Sequence, residues 1–251
     1  MIRKLLTLKG PGYALDIGSG TGYTTSRVFR DRPTVCADLH APNLHYYRRS
    51  MSLPGSASDP PCVVANAIAL PFKDGAFRFV LCSEVLEHLE NDAAAVREIS
   101  RVLASDGMAI ITVPYNKLGF TSFLELLKIK TVHDFPGPEQ HIRSGYDEHS
   151  LRDLCARYGL SLDRHEYYLR FFTRLVTDLV SLCHLAYQRT RHGRASWSWS
   201  DAADAEGSMA FRVYRRVLPA LWLFSRLDFF LRRLRGFGLV VAARKISTSA
   251  T

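Results

Sequence analysis

Asp16-Ile17-Gly18-Ser19-Gly20-Thr21-Gly22 puts an acid two residues ahead of three glycines that alternate with hydroxyl side chains. Glycine lets the backbone turn sharply and lets a ligand lie against it with no Cβ in the way. The helix expected beyond the turn offers free N–H groups and the positive end of a dipole. A dinucleotide fingerprint would place its third glycine where this chain has Tyr23, and it would meet a pyrophosphate there. Asp16 beside the turn suits a cationic ligand better. Sixteen residues after Gly22 comes Asp38, whose carboxylate can take both hydroxyls of a ribose. Each signal alone is weak, but their order and spacing together point to a nucleoside that carries a positive charge.

The elements that must position these residues alternate in type. Short apolar runs at Tyr13–Ile17, Thr34–Ala37, Cys62–Ala65, Phe77–Cys82 and Met108–Val113 predict strands. Helices are predicted from the glycine turn to about Phe29, over Ala41–Met51 with Pro42 in its first turn, and over Asn91–Leu103. Ser105-Asp106-Gly107 would stop the last of these, and Leu53–Pro61 reads as loop. Glu148–Tyr158 predicts a further helix capped by Gly159, then strands at Leu160–Tyr168 and Gly238–Ala243. Strands alternating with helices imply a doubly wound α/β domain with a mostly parallel, seven-stranded sheet covered on both faces.

With the elements in place, the chain resembles the class I S-adenosylmethionine-dependent methyltransferases, in the large group that includes the quinone-biosynthesis enzymes. Asp16, Gly18, Gly20 and Gly22 match that family's cofactor loop, and Asp38 matches its ribose-binding acid. Asn66-Ala67-Ile68-Ala69-Leu70-Pro71-Phe72 is similar to the segment beside the adenine, and Ser83-Glu84-Val85-Leu86-Glu87-His88-Leu89 to the stretch facing the methyl group. The resemblance implies S-adenosylmethionine held by Asp16, Gly18, Ser19, Gly20, Thr21, Gly22, Asp38, Leu39, Asn66, Ala67 and Ser83. It covers residues 13–168 and the last strand. The family usually has Asp at the position of Asn66, and Phe-Asp where this chain has Phe77-Arg78. Twelve residues precede the first strand, little room for the family's leading helix, so a lid is expected from elsewhere.

A sulfonium makes its methyl group a strong electrophile, so the protein has mainly to align a nucleophile and exclude water. A hydroxyl acceptor would be helped by a base. His88, after strand four, is one candidate and His141 another; the alternative is that each holds its loop. Arg143 and Tyr146 follow His141 in a His-x-Arg-x-x-Tyr run, similar to segments that lie above the family's substrate pocket. No motif calls for a metal.

Composition bounds the rest. The chain has 251 residues, 47% apolar and 23% charged, which suits one large soluble domain. No secretory leader or spanning run is expected. Five cysteines, at 36, 62, 82, 155 and 183, form no Cys-x-x-Cys pair, so buried thiols in a reducing cytoplasm are expected. Residues 1–169 balance 19 basic against 19 acidic side chains, whereas residues 170–236 hold 12 Arg, no Lys and 5 acids. The domain reading is therefore a core at 1–169, an arginine-rich helical insert at 170–236, and a final strand with its tail at 237–251. In the insert, Arg170–Tyr187 reads as helix and Gln188–Ser208 as a mobile polar stretch. Met209–Arg235 reads as helix interrupted by Pro219, with Leu223, Leu227, Phe230, Leu231 and Leu234 on one side and Arg226, Arg232 and Arg233 off it. The insert could be a lid, or could dock residues 209–235 on an anionic membrane surface, at the inner face. Nucleic acid is the least favoured partner. The resulting expectation is transfer of a methyl group to a small or lipid-like acceptor, at oxygen. RNA or protein methylation, or a cofactor-binding scaffold without turnover, are the alternatives.

Overall fold

A computed structural model describes residues 2–6, 10–51, 61–117, 122–128, 141–192 and 209–246. Residues 53–60 of the expected loop, the Phe135–Pro138 run and Gly193–Ser208 lie outside them. The elements in chain order are α1 (Ile2–Leu5), β1 (Ala14–Ile17), α2 (Tyr23–Val28), β2 (Thr34–Asp38), α3 (Ala41–Met51), β3 (Cys62–Val64), β4 (Phe77–Ser83), α4 (Asp92–Val102) and β5 (Leu103–Pro114). Then follow α5 (Phe123–Leu126), α6 (Glu148–Arg157), β6 (Leu160–Tyr168), α7 (Phe171–His192), α8 (Met209–Ser225) and β7 (Gly238–Lys245).

The seven strands form one sheet in the order β3-β2-β1-β4-β5-β7-β6. The registers from β3 through β5 are all parallel. Chain order reverses at β1, the place where doubly wound sheets open a ligand crevice at the carboxyl ends of the strands. β1, β4 and β7 are nearly continuous buried runs because helices cover both faces. Their apolar side chains, among them Leu15, Phe79, Leu81 and Val240, form the core together with Ile110 of β5.

Two boundaries differ from the expectation. Ser105-Asp106-Gly107 does not separate α4 from β5. The strand starts directly at Leu103, which is fully buried and pairs with Phe77, and the exposed Ser105 and Asp106 sit inside the strand where the register shifts. Burial of Leu103 outweighs the turn propensity of the three residues after it. Pro219 likewise lies inside α8 without breaking it, and the helix ends at Ser225 in a 3-10 turn over Arg226–Phe229. The continuous apolar side expected from Leu223 to Leu234 therefore does not exist.

The chain falls into two compact units. The first comprises residues 1–113, 145–166 and 239–251. The second comprises 114–144 and 167–238, so it takes in the segment after β5 as well as the arginine-rich insert. Two carboxylates organise the second unit. Both oxygens of Asp228 accept the Phe172 and Thr173 backbone N–H groups, at 2.8 and 2.9 Å, and so cap the start of α7. Asp178, buried on α7, accepts from the Ser122 hydroxyl and the Phe123 N–H at the start of α5, and pairs with Arg174 at 2.7 Å.

Candidate cofactor and active site

The site begins with the turn between β1 and α2. Gly18, Gly20 and Gly22 all have positive φ, at 65°, 52° and 74°, a region that L side chains enter at a cost. A Cβ on Gly22 would come within 1.8 Å of the Tyr47 ring, and one on Gly18 within 2.3 Å of Val85. A Cβ on Gly20 would meet nothing within 4 Å. Two of the glycines thus admit neighbouring side chains, and the middle one leaves its backbone facing open space.

Asp16 lies directly behind this turn on β1 and is buried. One carboxylate oxygen accepts the Thr25 hydroxyl of α2, and the other has no hydrogen-bond partner. Burial, with a smaller push from Asp38, raises its pKa to about 7, while the Thr25 bond works in the opposite direction. The Ser19 hydroxyl beside it is also buried without a partner. A buried orphan carboxylate oxygen next to an open backbone cradle fits the ammonium group of an amino-acid moiety. Such a cation would supply the missing partner and draw the carboxyl into its ionised form.

Asp38 ends β2 on the other side of the turn. Its two oxygens accept the Gly20 and His40 backbone N–H groups, both at 2.8 Å, which fix the carboxylate at the strand end. Leu39 beside it is 70% exposed and forms an apolar rim. Asn66 follows β3, and its side-chain oxygen accepts the Ile68 N–H at 3.2 Å, closing a tight turn that places Ala67 inward. That oxygen keeps a second lone pair. The Asn66–Phe72 segment is held down by Arg101 of α4, which donates to the carbonyls of Leu70 and Phe72 and to the carboxylates of Glu98 and Asp74. Glu98 in turn accepts the Leu70 N–H at 2.8 Å.

At the end of β4, Ser83 shares a hydrogen bond with Thr112, and Thr112 donates to Glu84 at 2.9 Å. Glu84 has a φ of 54°, a strained setting for a residue with a side chain. The chain then enters a 3-10 turn, Leu86–His88, which buries Glu87 completely. Burial and the nearby Glu84 push the Glu87 carboxyl up to about 9, so it is neutral at pH 7. His88 is partly exposed, with Nε2 4.0 Å from Glu87 Oε1. Tyr146 is buried, and its hydroxyl donates to Asp92 at 2.6 Å and to the Leu86 carbonyl at 3.3 Å. It braces the 3-10 turn from α4's N-terminal end.

The structure thus brings Asp16, Ser19, Gly20, Asp38, Asn66, Ser83 and His88 to the same ends of neighbouring strands in the first unit. His141 and Arg143 belong to the second unit. Sequence reasoning missed Thr25, Tyr47, Glu98, Arg101 and Asp92, which position the functional groups. The contacts that tie them to the site lie 9 to 54 residues away, as in Thr25–Asp16 and Asp92–Tyr146, and no local pattern marks such pairs.

Comparison with known proteins agrees with this geometry. Residues 15–111 match the family described as methyltransferase domain. A malonyl-acyl-carrier-protein O-methyltransferase of Halorhodospira halophila is 35% identical over 100 residues, 39% of this chain and 33% of that protein. A ubiquinone/menaquinone biosynthesis C-methyltransferase of Hahella chejuensis is 27% identical over 168 residues, 60% of this chain and 68% of its own. The chain therefore spans between a third and about two thirds of the length of these curated relatives. The solved structure of the 4+2 cyclase SpnF shares the fold, with a TM-score of 0.61 at 18% identity over 97% of this chain and 79% of that one. Family match, strand order and glycine loop converge: residues 15–111 carry a methyltransferase domain, and the fold and cofactor loop are like those of the class I S-adenosylmethionine-dependent methyltransferases, with S-adenosylmethionine the cofactor that this family indicates.

Proposed function

We propose that the whole chain catalyses transfer of a methyl group to a small or lipid-like acceptor, at oxygen. The observation that carries the reading is the orphaned, buried oxygen of Asp16 beside the open backbone of Gly20. When bound, S-adenosylmethionine supplies an electrophilic methyl on a sulfonium. Asp16 takes the ammonium group of its amino-acid end, with Gly18, Ser19, Thr21 and Gly22 shaping the cradle. Asp38 takes the ribose hydroxyls, Leu39 lies along the rim, and Asn66 with Ala67 borders the adenine.

His88 is the general base, accepting a proton at its imidazole from an acceptor hydroxyl. Burial of Glu87 supports this role, because a neutral, immobile neighbour fixes the 3-10 turn that carries His88. His141 is the second candidate for that proton, and Arg143 and Tyr146 contribute to acceptor binding, Tyr146 by holding the turn. The two curated relatives act at oxygen and at carbon by name, so the choice of oxygen rests on His88. A cytoplasmic setting is supported by Cys36, Cys62, Cys82 and Cys155 being free thiols.

The test is transfer of labelled methyl from S-adenosylmethionine to a panel of small hydroxylated acceptors, run with His88→Ala and His141→Ala. The expected result is a loss of about a hundredfold or more in kcat for the variant lacking the base, with binding of S-adenosylhomocysteine unchanged. Full turnover in both variants removes the base assignment. Cofactor binding with no transfer to any acceptor class removes the catalytic reading itself.

A further inference from the structure

In the second unit, Trp222, Leu223, Phe229, Phe230 and Leu234 are 58% to 79% exposed. These residues span the end of α8, the 3-10 turn and the turn after it, so the exposed apolar surface is built on a bend rather than along one helix. Arginines are interleaved with it. The Arg226 guanidinium lies 5.0 Å from the Trp222 ring centre, and that of Arg232 lies 4.9 Å from Phe229. Arg216, Arg233 and Arg235 are exposed as well. Over residues 209–235 the sequence has seven Arg, no Lys and a single acid, Asp228. Both oxygens of that acid are turned onto the Phe172 and Thr173 N–H groups, so its carboxylate is already engaged within the unit.

We propose that residues 216–235 dock on an anionic lipid surface. Trp and Phe rings enter the interfacial layer, while the guanidiniums stacked on them reach the headgroup phosphates. The chemistry favours lipid over the other partners such a surface could take. Two copies meeting through this face would bring together two arginine clusters with no acid to answer them. A nucleic acid would satisfy the arginines but not Leu223 and Leu234, which have no planar face on which to stack a base. Among the described residues no helix is long and apolar enough to cross a membrane, so the contact is with a surface.

The test is co-sedimentation of the full chain with phosphatidylcholine vesicles, with and without phosphatidylglycerol, at low and high salt. The expected result is binding at least tenfold stronger to anionic vesicles, weakening with salt. The arginine variants Arg226→Glu, Arg232→Glu and Arg233→Glu should each lose roughly fivefold, mainly at low salt. Phe229→Ser with Phe230→Ser should lose roughly tenfold or more at either salt, since both rings are then withdrawn from the interfacial layer. S-adenosylhomocysteine binding and circular dichroism should be unchanged in all of them, which separates this proposal from the methyl-transfer reading. Equal sedimentation with neutral vesicles, or none at low salt, overturns it. So does a wild-type dimer that the Phe229/Phe230 variant converts to monomer, or salt-sensitive binding of a homopolymeric RNA in place of vesicles.

Discussion

The three glycines share a sign of φ but not a task, and substitution separates them. Gly22→Ala combines a left-handed alanine with a collision against the buried Tyr47 ring. It should lower stability by about 2 to 4 kcal/mol, measured by denaturant unfolding. Gly20→Ala has only the left-handed cost of about 1 kcal/mol, yet its methyl occupies the cradle. It should fold and lose cofactor affinity, read by calorimetry. Asp16 makes a second prediction, in pH. Its pKa is raised to about 7 in the fold and near 3.9 in the unfolded chain, so the folded state holds a proton that the unfolded state has released. Ligand-free stability should therefore fall as pH rises between those values, whereas affinity for the cationic cofactor should rise. Below pH 7 that rise approaches about tenfold per unit. Asp16→Asn should flatten both profiles, raise ligand-free stability at pH 8 and weaken binding at every pH. A steep binding profile surviving in Asp16→Asn would remove the assignment.

Among the elements, α4 acts as an anchor for a loop it does not contain. Arg101 and Glu98 hold the Asn66–Phe72 segment through carbonyl and N–H groups, independent of that segment's own side chains. Arg101→Ala should cost about 2 to 3 kcal/mol of stability and weaken S-adenosylhomocysteine binding, because Glu98 then keeps its burial without its partner. Arg101→Lys should recover only part of each, since an ammonium cannot reproduce the planar fork that meets five acceptor contacts. The elements themselves were legible where burial and periodicity agree: β1, β2, β4, α4, β6 and the glycine turn stand within one or two residues of their expected bounds. They were misread where tertiary burial opposes local propensity, as at Leu103, or where a helix accommodates a proline, as at Pro219. The placement of the candidate cofactor groups on one turn and two strand ends was legible because glycine, acid and strand end are local and carry their spacing with them. The setting of Glu87, His88 and Tyr146 was not, because what fixes it is contact between residues up to 60 apart.

At the scale of the molecule, charge divides between the two units. The first unit holds the candidate cofactor groups, a handful of buried or cradled polar side chains, and its acidic and basic residues nearly balance. The second gathers the arginines, and its exposed rings face outward beside them. One consequence concerns time. β7 lies between β5 and β6, and β6 is the outer strand on that side of the sheet. Every other strand of the sheet leaves the ribosome at least 70 residues earlier, since β6 ends at Tyr168 and β7 starts at Gly238. A nascent chain can form β3-β2-β1-β4-β5 on its own, but β6 has no neighbour to pair with until β7 is made. The larger part of the second unit, from Tyr167 to Gly238, is synthesised during that wait. Chains stalled just before Gly238 should bind S-adenosylhomocysteine weakly or not at all and yield to protease within β6, and release of the remaining residues should restore both.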